Sequence, residues 1–155
     1  MFYCREREIR DLDKRYDRGE FECIVIYGRR RVGKTALINE FCKDKPTIFF
    51  LALNASEQEK LEANSKAICE KEHPGTELAP VYPSYDAAFA KITQMAEKER
   101  LVLVIDEYPY LAKASKSISS RLQHIIDHTW KNRQIFLILC GSSMSFMEYQ
   151  VLGYE

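Results

Sequence analysis

The sequence has 155 residues, in which 23 Lys and Arg balance 23 Asp and Glu. This length suits one domain with its own core, and the zero net charge excludes binding to nucleic acid or to an anionic membrane through overall charge. The five cysteines form no C-x-x-C pair. The N-terminus is charged, and no apolar run is long enough to span a membrane. We therefore expect a cytoplasmic protein with reduced thiols and no membrane partner.

The predicted elements alternate between helix and strand. In chain order they are a charged helix closed by Gly19, a strand at 23–27, a helix at 34–43, a weaker strand at 47–53, helices at 56–72 and 84–99, a strand at 101–107, a helix at 116–131 and a strand at 135–141. Continuous apolar strands are typical of a parallel sheet that is covered on both faces. The pattern predicts one α/β domain over residues 1–155, with three layers and a mostly parallel sheet.

Residues 28–35 fit the phosphate-loop motif G-x-x-x-x-G-K-[ST] and lie between a predicted strand and a predicted helix. Lys34 would reach the β- and γ-phosphates, and the Thr35 hydroxyl would bind Mg²⁺. The predicted nucleotide-binding residues are Gly28, Arg29, Arg30, Arg31, Val32, Gly33, Lys34, Thr35 and Ala36. The motif specifies nothing for the three arginines, so the γ-phosphate, a neighbouring subunit and DNA all stay open as their partner.

Acidic and small polar residues follow two of the apolar strands. Asp106 ends the strand "LVLVIDE" and is placed to hold Mg²⁺ through water. Glu107 comes next and could activate the attacking water. Ser142, at the end of "LILCGS", could contact the γ-phosphate or the water, or cap the following helix. The predicted catalytic residues are thus Glu107, Lys34 and Ser142, and the predicted metal ligands are Thr35 and Asp106.

Other motifs are weaker. His124 and His128 are spaced like a metalloprotease pair, but they fall opposite the apolar stripe of their helix, which favours an exposed polar face. The guanine-reading N-K-x-D motif of GTPases does not occur. Tyr108 is expected to pack the chain where it turns after Glu107.

The segments "YGRRRVGKT", "LVIDEYPYLAKAS" and "LILCGSSMSFME", in this order, resemble the archaeal-type ATPase family, a branch of the P-loop AAA-like and signal-transduction ATPases. The resemblance covers nearly the whole chain. It implies ATP and Mg²⁺ as cofactors and hydrolysis that is coupled to conformational change. It also implies that Ser142 is a sensor and that residues 2–5 lie beside the adenine.

The chain departs from this family after the last strand. Family members place the sensor strand between the P-loop and Walker B strands and add a fifth strand, an arginine finger and a lid or winged-helix region. We therefore expect a core truncated after the sensor strand, with weak turnover. A free edge on the strand at 23–27 predicts self-association. Nucleic acid would be contacted only through the missing C-terminal region.

Two other functions stay open from the sequence. One is a nucleotide-dependent regulatory scaffold or DNA-associated switch with little turnover. The other is a small-molecule kinase, which would need an acceptor pocket as well as the phosphate loop.

Overall fold

The computed structural model describes residues 6–27, 34–51, 57–75, 81–106, 108 and 116–141. Its strands are β1 (Glu22–Tyr27), β2 (Thr47–Leu51), β3 (Leu101–Asp106) and β4 (Ile135–Gly141). Its helices are α1 (Glu6–Asp17), α2 (Lys34–Cys42), α3 (Glu57–Glu72), α4 (Tyr85–Ala96) and α5 (Lys116–His128), followed by a 3₁₀ turn (Trp130–Asn132). Within these ranges no helix is long and apolar enough to cross a membrane.

The four strands form one parallel sheet in the order β1-β4-β3-β2. This confirms the predicted α/β fold with a parallel sheet. β4 lies between β1 and β3, as the family resemblance implies for the sensor strand. All four strands point the same way, so they all end at one side of the sheet, called here the carboxyl edge. The opposite side, where the strands begin, is the amino edge.

Helices cover both faces of the sheet and give the fold its three layers. The face that packs against α3, α4 and α5 is called here the α4 face, and the one that packs against α1 and α2 is the α2 face. Because successive side chains of a strand point to opposite faces, the strands divide their residues between the two cores. The α4 face receives Leu101, Leu103, Ile105, Ile135, Leu137 and Leu139. The α2 face receives Val102, Val104, Phe136, Ile138 and Cys140.

The largest residue of the α4 face is Trp130, which is fully buried. Its indole N–H donates a hydrogen bond to the Thr93 hydroxyl at 2.7 Å, so burial leaves this polar group satisfied. Its ring contacts Phe89 edge-on, with 5.6 Å between the ring centroids. These contacts join the 3₁₀ turn to α4 and hold the segment that leads into β4.

The helix α4 is shorter than predicted. Its start agrees with the sequence, since the Ser84 hydroxyl caps the helix by accepting the Ala87 N–H at 3.2 Å. The predicted helix runs to residue 99, but the observed one ends at Ala96. Beyond Ala96 the backbone tightens into hydrogen bonds between residues three apart, with the Glu97 N–H donating to the Gln94 carbonyl at 3.2 Å, and the Gln134 side chain donates to the Ala96 carbonyl at 2.8 Å.

The helix α1 ends as the sequence predicts. Gly19 has φ 72, a conformation that other residues adopt at a cost. Its N–H donates to the Tyr16 carbonyl at 3.2 Å. The Tyr16 ring lies between two cations, with the Lys45 ammonium 5.3 Å and the Arg100 guanidinium 5.1 Å from its centroid. Such contacts stabilise a partly buried ring by about 1 kcal/mol each, and they fix the C-terminal end of α1 at the amino edge.

β1 is an edge strand of the sheet that the structure describes, because it pairs only with β4. Residues 23–26 are half-buried, whereas residues 101–105 and 135–140 are buried almost completely. β1, the strand that precedes the phosphate loop, is therefore less buried than β3 and β4. Within the described ranges, nothing pairs with its outer side.

Candidate functional site

The strands that precede the predicted functional segments end together at the carboxyl edge. β1 and β4 end level with each other, because Tyr27 pairs with Gly141. β3 ends within one residue of that level, because Ile105 pairs with Leu139. The phosphate loop follows Tyr27, Glu107 follows β3, and Ser142 follows Gly141. The strands that lead into three predicted site segments, distant in sequence, thus end at one edge of the sheet, which is where open α/β sheets bind ligands.

Only part of the predicted site lies among the described residues. Asp106 ends β3, and Lys34, Thr35 and Ala36 form the first turn of α2. Three parts of the prediction lie outside the described residues, namely 28–33, Glu107 and Ser142. The side chains of Lys34 and Thr35 also lie outside the description, so their roles stay predictions.

Asp106 lies on the same face of the sheet as α2. Val102 and Val104 pack into the core of the α2 face. Asp106 follows Val104 by two residues on β3, so it lies on the same face of the sheet. Two strand spacings of about 4.8 Å separate β3 from β1, so the Asp106 strand is about 10 Å from the strand that enters the phosphate loop. A triphosphate and its metal ion span a distance of this order.

The helix α2 begins at the carboxyl edge and is held firmly against the sheet. Leu37, Ile38, Phe41 and Cys42 are all buried. Burial raises the pKa of the Cys42 thiol, as expected for an apolar contact surface. The first N–H groups of a helix have no partner within it, and they carry the positive end of its dipole. Since α2 starts at Lys34, this end of the helix lies where the motif requires a phosphate.

Two cationic side chains at the amino edge are not part of this site. Arg100 donates from Nε to the Tyr16 carbonyl at 2.9 Å, and burial lowers the pKa of its guanidinium. Burial also raises the pKa of the Tyr16 phenol, although Arg100 and Lys45 oppose that shift. The sequence gives no signal for this arrangement, because the three residues are far apart in the chain.

The metalloprotease-like pair has an exposed setting. His124 and His128 are both exposed, with their rings stacked at 4.1 Å between centroids, which confirms the predicted polar face of α5. Nδ1 of His128 lies 2.9 Å from the His124 carbonyl oxygen. Over the described part of the chain, no group of three or more His, Cys, Asp or Glu residues is arranged to hold a metal ion.

A family model described as an ATPase domain predominantly from Archaea matches residues 2–154. The chain belongs to this family of archaeal ATPase domains. The match covers almost all of the sequence and includes the three predicted site segments. It establishes an ATPase-type, nucleotide-binding domain.

Relatives of this ATPase domain include two proteins of Methanocaldococcus jannaschii. An uncharacterised protein is 35% identical over 155 residues, which is 100% of this chain and 33% of the relative. An uncharacterised ATP-binding protein is 42% identical over 45 residues, which is 29% of this chain and 76% of that protein. The chain therefore spans only a third of the length of the first of these relatives.

Solved structures agree with the fold of the ATPase domain. The Walker-type ATPase of Pyrococcus abyssi superposes with a TM-score of 0.74 at 20% identity, over 97% of this chain and 48% of that one. Cdc6p of Pyrobaculum aerophilum gives 0.66 at 16% identity, over 96% and 41%. The ORC1 protein of Aeropyrum pernix, solved in complex with DNA, gives 0.63 at 20% identity, over 93% and 40%. At these identities the likeness concerns the fold alone.

Proposed function

We propose that residues 1–155 form an ATPase core that binds ATP with Mg²⁺ at the carboxyl edge and hydrolyses it. One observation carries this proposal: the ends of β1, β3 and β4 meet at one edge, with Asp106 on the α2 face. Membership of an ATPase-domain family supports ATP as the nucleotide. The guanine-reading motif of GTPases is missing from the sequence.

The phosphate loop supplies the nucleotide contacts in this proposal. Gly28 and Gly33 let the backbone N–H groups approach the phosphates closely. Lys34 contacts the β- and γ-phosphates as a point charge, and the first turn of α2 adds its dipole. Binding therefore depends on a strand, a loop and a helix that are contiguous in the chain.

The proposed metal ligands fit Mg²⁺ by their chemistry. The carboxylate of Asp106 and the hydroxyl of Thr35 are hard oxygen donors, and Mg²⁺ is usually held by few protein oxygens together with phosphates and water. Asp106 lies on the face of the sheet that α2 covers, and Thr35 belongs to the first turn of that helix. Bound Mg²⁺ neutralises charge on the phosphates.

Hydrolysis in this proposal depends on the residues after β3 and β4. Glu107 accepts a proton from the attacking water while the water oxygen bonds to the γ-phosphorus. The bond between the γ-phosphorus and the bridging oxygen breaks, and ADP leaves with that oxygen. Ser142 orients the γ-phosphate or the water. Longer relatives contain further chain, and we propose that turnover drives conformational change in such neighbouring modules.

The proposal is tested by measuring ATP binding and phosphate release with the same preparation. We expect ATP to bind in calorimetry, to bind more tightly with Mg²⁺ than with EDTA, and to be hydrolysed to ADP and phosphate. Failure to bind ATP would contradict the whole proposal. Mg²⁺-dependent binding without phosphate release would instead favour the nucleotide-dependent scaffold or DNA-associated switch.

We also propose that the chain self-associates through the outer side of β1. No described strand pairs with that side of β1, and exposed strand edges pair readily with another chain. Light scattering at micromolar concentration should give a mass of about two chains or more.

The control variant is Phe49→Lys, on the edge strand β2 at the other end of the sheet, which should leave that mass unchanged. A monomer at every concentration contradicts the proposal, and loss of association in Phe49→Lys moves it to β2.

A further inference from the structure

Tyr108 is buried two residues beyond the end of β3. Only 2% of it is exposed, and it packs into the hydrophobic core of the α4 face. Residues just past the end of a buried strand usually enter a surface loop. Here the chain instead returns a large aromatic side chain to the core at once.

The two ends of this short segment are held on opposite faces of the sheet. Asp106 follows the alternation of Val102 and Val104 toward the α2 face, whereas Tyr108 belongs to the core of the α4 face. Residues 101–105 are buried almost completely between β2 and β4. Asp106 is therefore held on one side by a buried strand and on the other by a buried aromatic anchor.

A metal-binding carboxylate needs this kind of support. Functional groups must be held within about 0.5 Å and 10–20° of their working geometry by the packing of their neighbours. Strand pairing restrains Asp106 from the N-terminal side, where Leu51 pairs with it. Without Tyr108, the chain on its C-terminal side would have one anchor fewer, and the carboxylate would sample more orientations.

We infer that Tyr108 is a positioning residue that holds the Asp106 carboxylate in the orientation needed for the Mg²⁺ of bound nucleotide. This inference rests on the proposed function of the carboxyl edge. It assigns Tyr108 no contact with nucleotide. The burial of its aromatic ring in the core of the α4 face does the anchoring.

The test compares three variants with the wild type. Tyr108→Leu removes the ring, Tyr108→Phe keeps it, and Phe89→Leu makes a matched loss in the same core. Phe89 is 1% exposed and contacts Phe50, Tyr85 and Trp130 from α4, so its loss perturbs stability without adjoining Asp106. ATP affinity is measured in EDTA and over a series of Mg²⁺ concentrations, and melting temperature is recorded for each variant.

We expect Tyr108→Leu to raise the Mg²⁺ concentration for half-maximal enhancement of ATP binding by about tenfold, as for other residues that support metal ligands. Its ATP affinity in EDTA should stay within about twofold of wild type, because the phosphate loop is untouched. Tyr108→Phe and Phe89→Leu should both keep the wild-type Mg²⁺ requirement. If Tyr108→Leu does not fold, Tyr108→Met replaces it, since methionine is flexible enough to refill the site.

Three results would overturn the inference. One is a wild-type Mg²⁺ requirement in the leucine or methionine variant. Another is an equal shift in Phe89→Leu, which would mean that loss of core stability alone moves the requirement. The third is a Tyr108→Phe variant as impaired as Tyr108→Leu, which would transfer the role from the ring to the hydroxyl. Failure of the proposed function looks different, since the wild type would then bind no ATP at all.

Discussion

Replacing Lys34 with alanine should lower the affinity for ATP by about 3 kcal/mol or more, roughly 100-fold. The reason is electrostatic: the variant removes the lysine charge proposed to contact the β- and γ-phosphates, while the backbone N–H groups of the loop remain. Binding is measured by calorimetry with ATP and Mg²⁺. The melting temperature should change little without nucleotide, since Lys34 begins α2 and alanine has good helix propensity at such a position.

Lys43→Ala is the matched control for this experiment. It removes the same charge just beyond the other end of α2, where the Lys43 ammonium is exposed and contacts Glu40 at 2.7 Å. Exposed pairs of this kind contribute little to stability, so the control should bind ATP like the wild type. Equal loss of affinity in both variants would show that ATP responds to overall charge, and the phosphate-loop interpretation would then be wrong.

Replacing Glu107 with glutamine should slow ATP hydrolysis by about 100-fold or more while leaving ATP affinity within about twofold. The amide keeps the size of the side chain but cannot accept the proton of the attacking water. Phosphate release under saturating ATP measures the first effect, and calorimetry measures the second. The two readouts together separate loss of chemistry from loss of binding.

Glu97→Gln makes the same change at the amino edge, where Glu97 pairs with Arg133 at 3.6 Å. Its hydrolysis rate should equal that of the wild type. If Glu107→Gln hydrolyses ATP at the wild-type rate, another group must activate the water. If it loses ATP affinity instead, Glu107 contributes to binding rather than to proton transfer.

The sequence predicted the fold well because its strands and caps are local signals. Unbroken apolar runs identified the strands of a parallel sheet, and Gly19 marked the end of α1 through its backbone freedom. The position of β4 between β1 and β3 came from the family resemblance, and the structure confirms it. The fold class and the position of Asp106 at the carboxyl edge were therefore predictable.

What the sequence could not predict depends on contacts between distant residues. Nothing local shows that α4 ends at Ala96, whose carbonyl accepts a hydrogen bond from the distant Gln134 side chain. The placement of the Tyr16 ring between Lys45 and Arg100 is likewise a product of tertiary packing. For the candidate site, the set of residues that take part stays a prediction from the sequence, and the structure adds the face on which Asp106 lies.

The strands differ in burial and in pairing, so they should also differ in how often they open locally. β3 and β4 are buried on both faces and paired on both sides, whereas β1 is half-buried and paired on one side in the described residues. Amide hydrogens exchange through local opening, and the least enclosed segments open first. The amide hydrogens of β3, which carries Asp106, should thus exchange most slowly. Those of β1, which leads into the phosphate loop, should exchange faster. A ligand that contacts both strands would connect a strand that rarely opens to one that opens more often. We therefore expect hydrogen exchange in β1 to slow when the ligand binds.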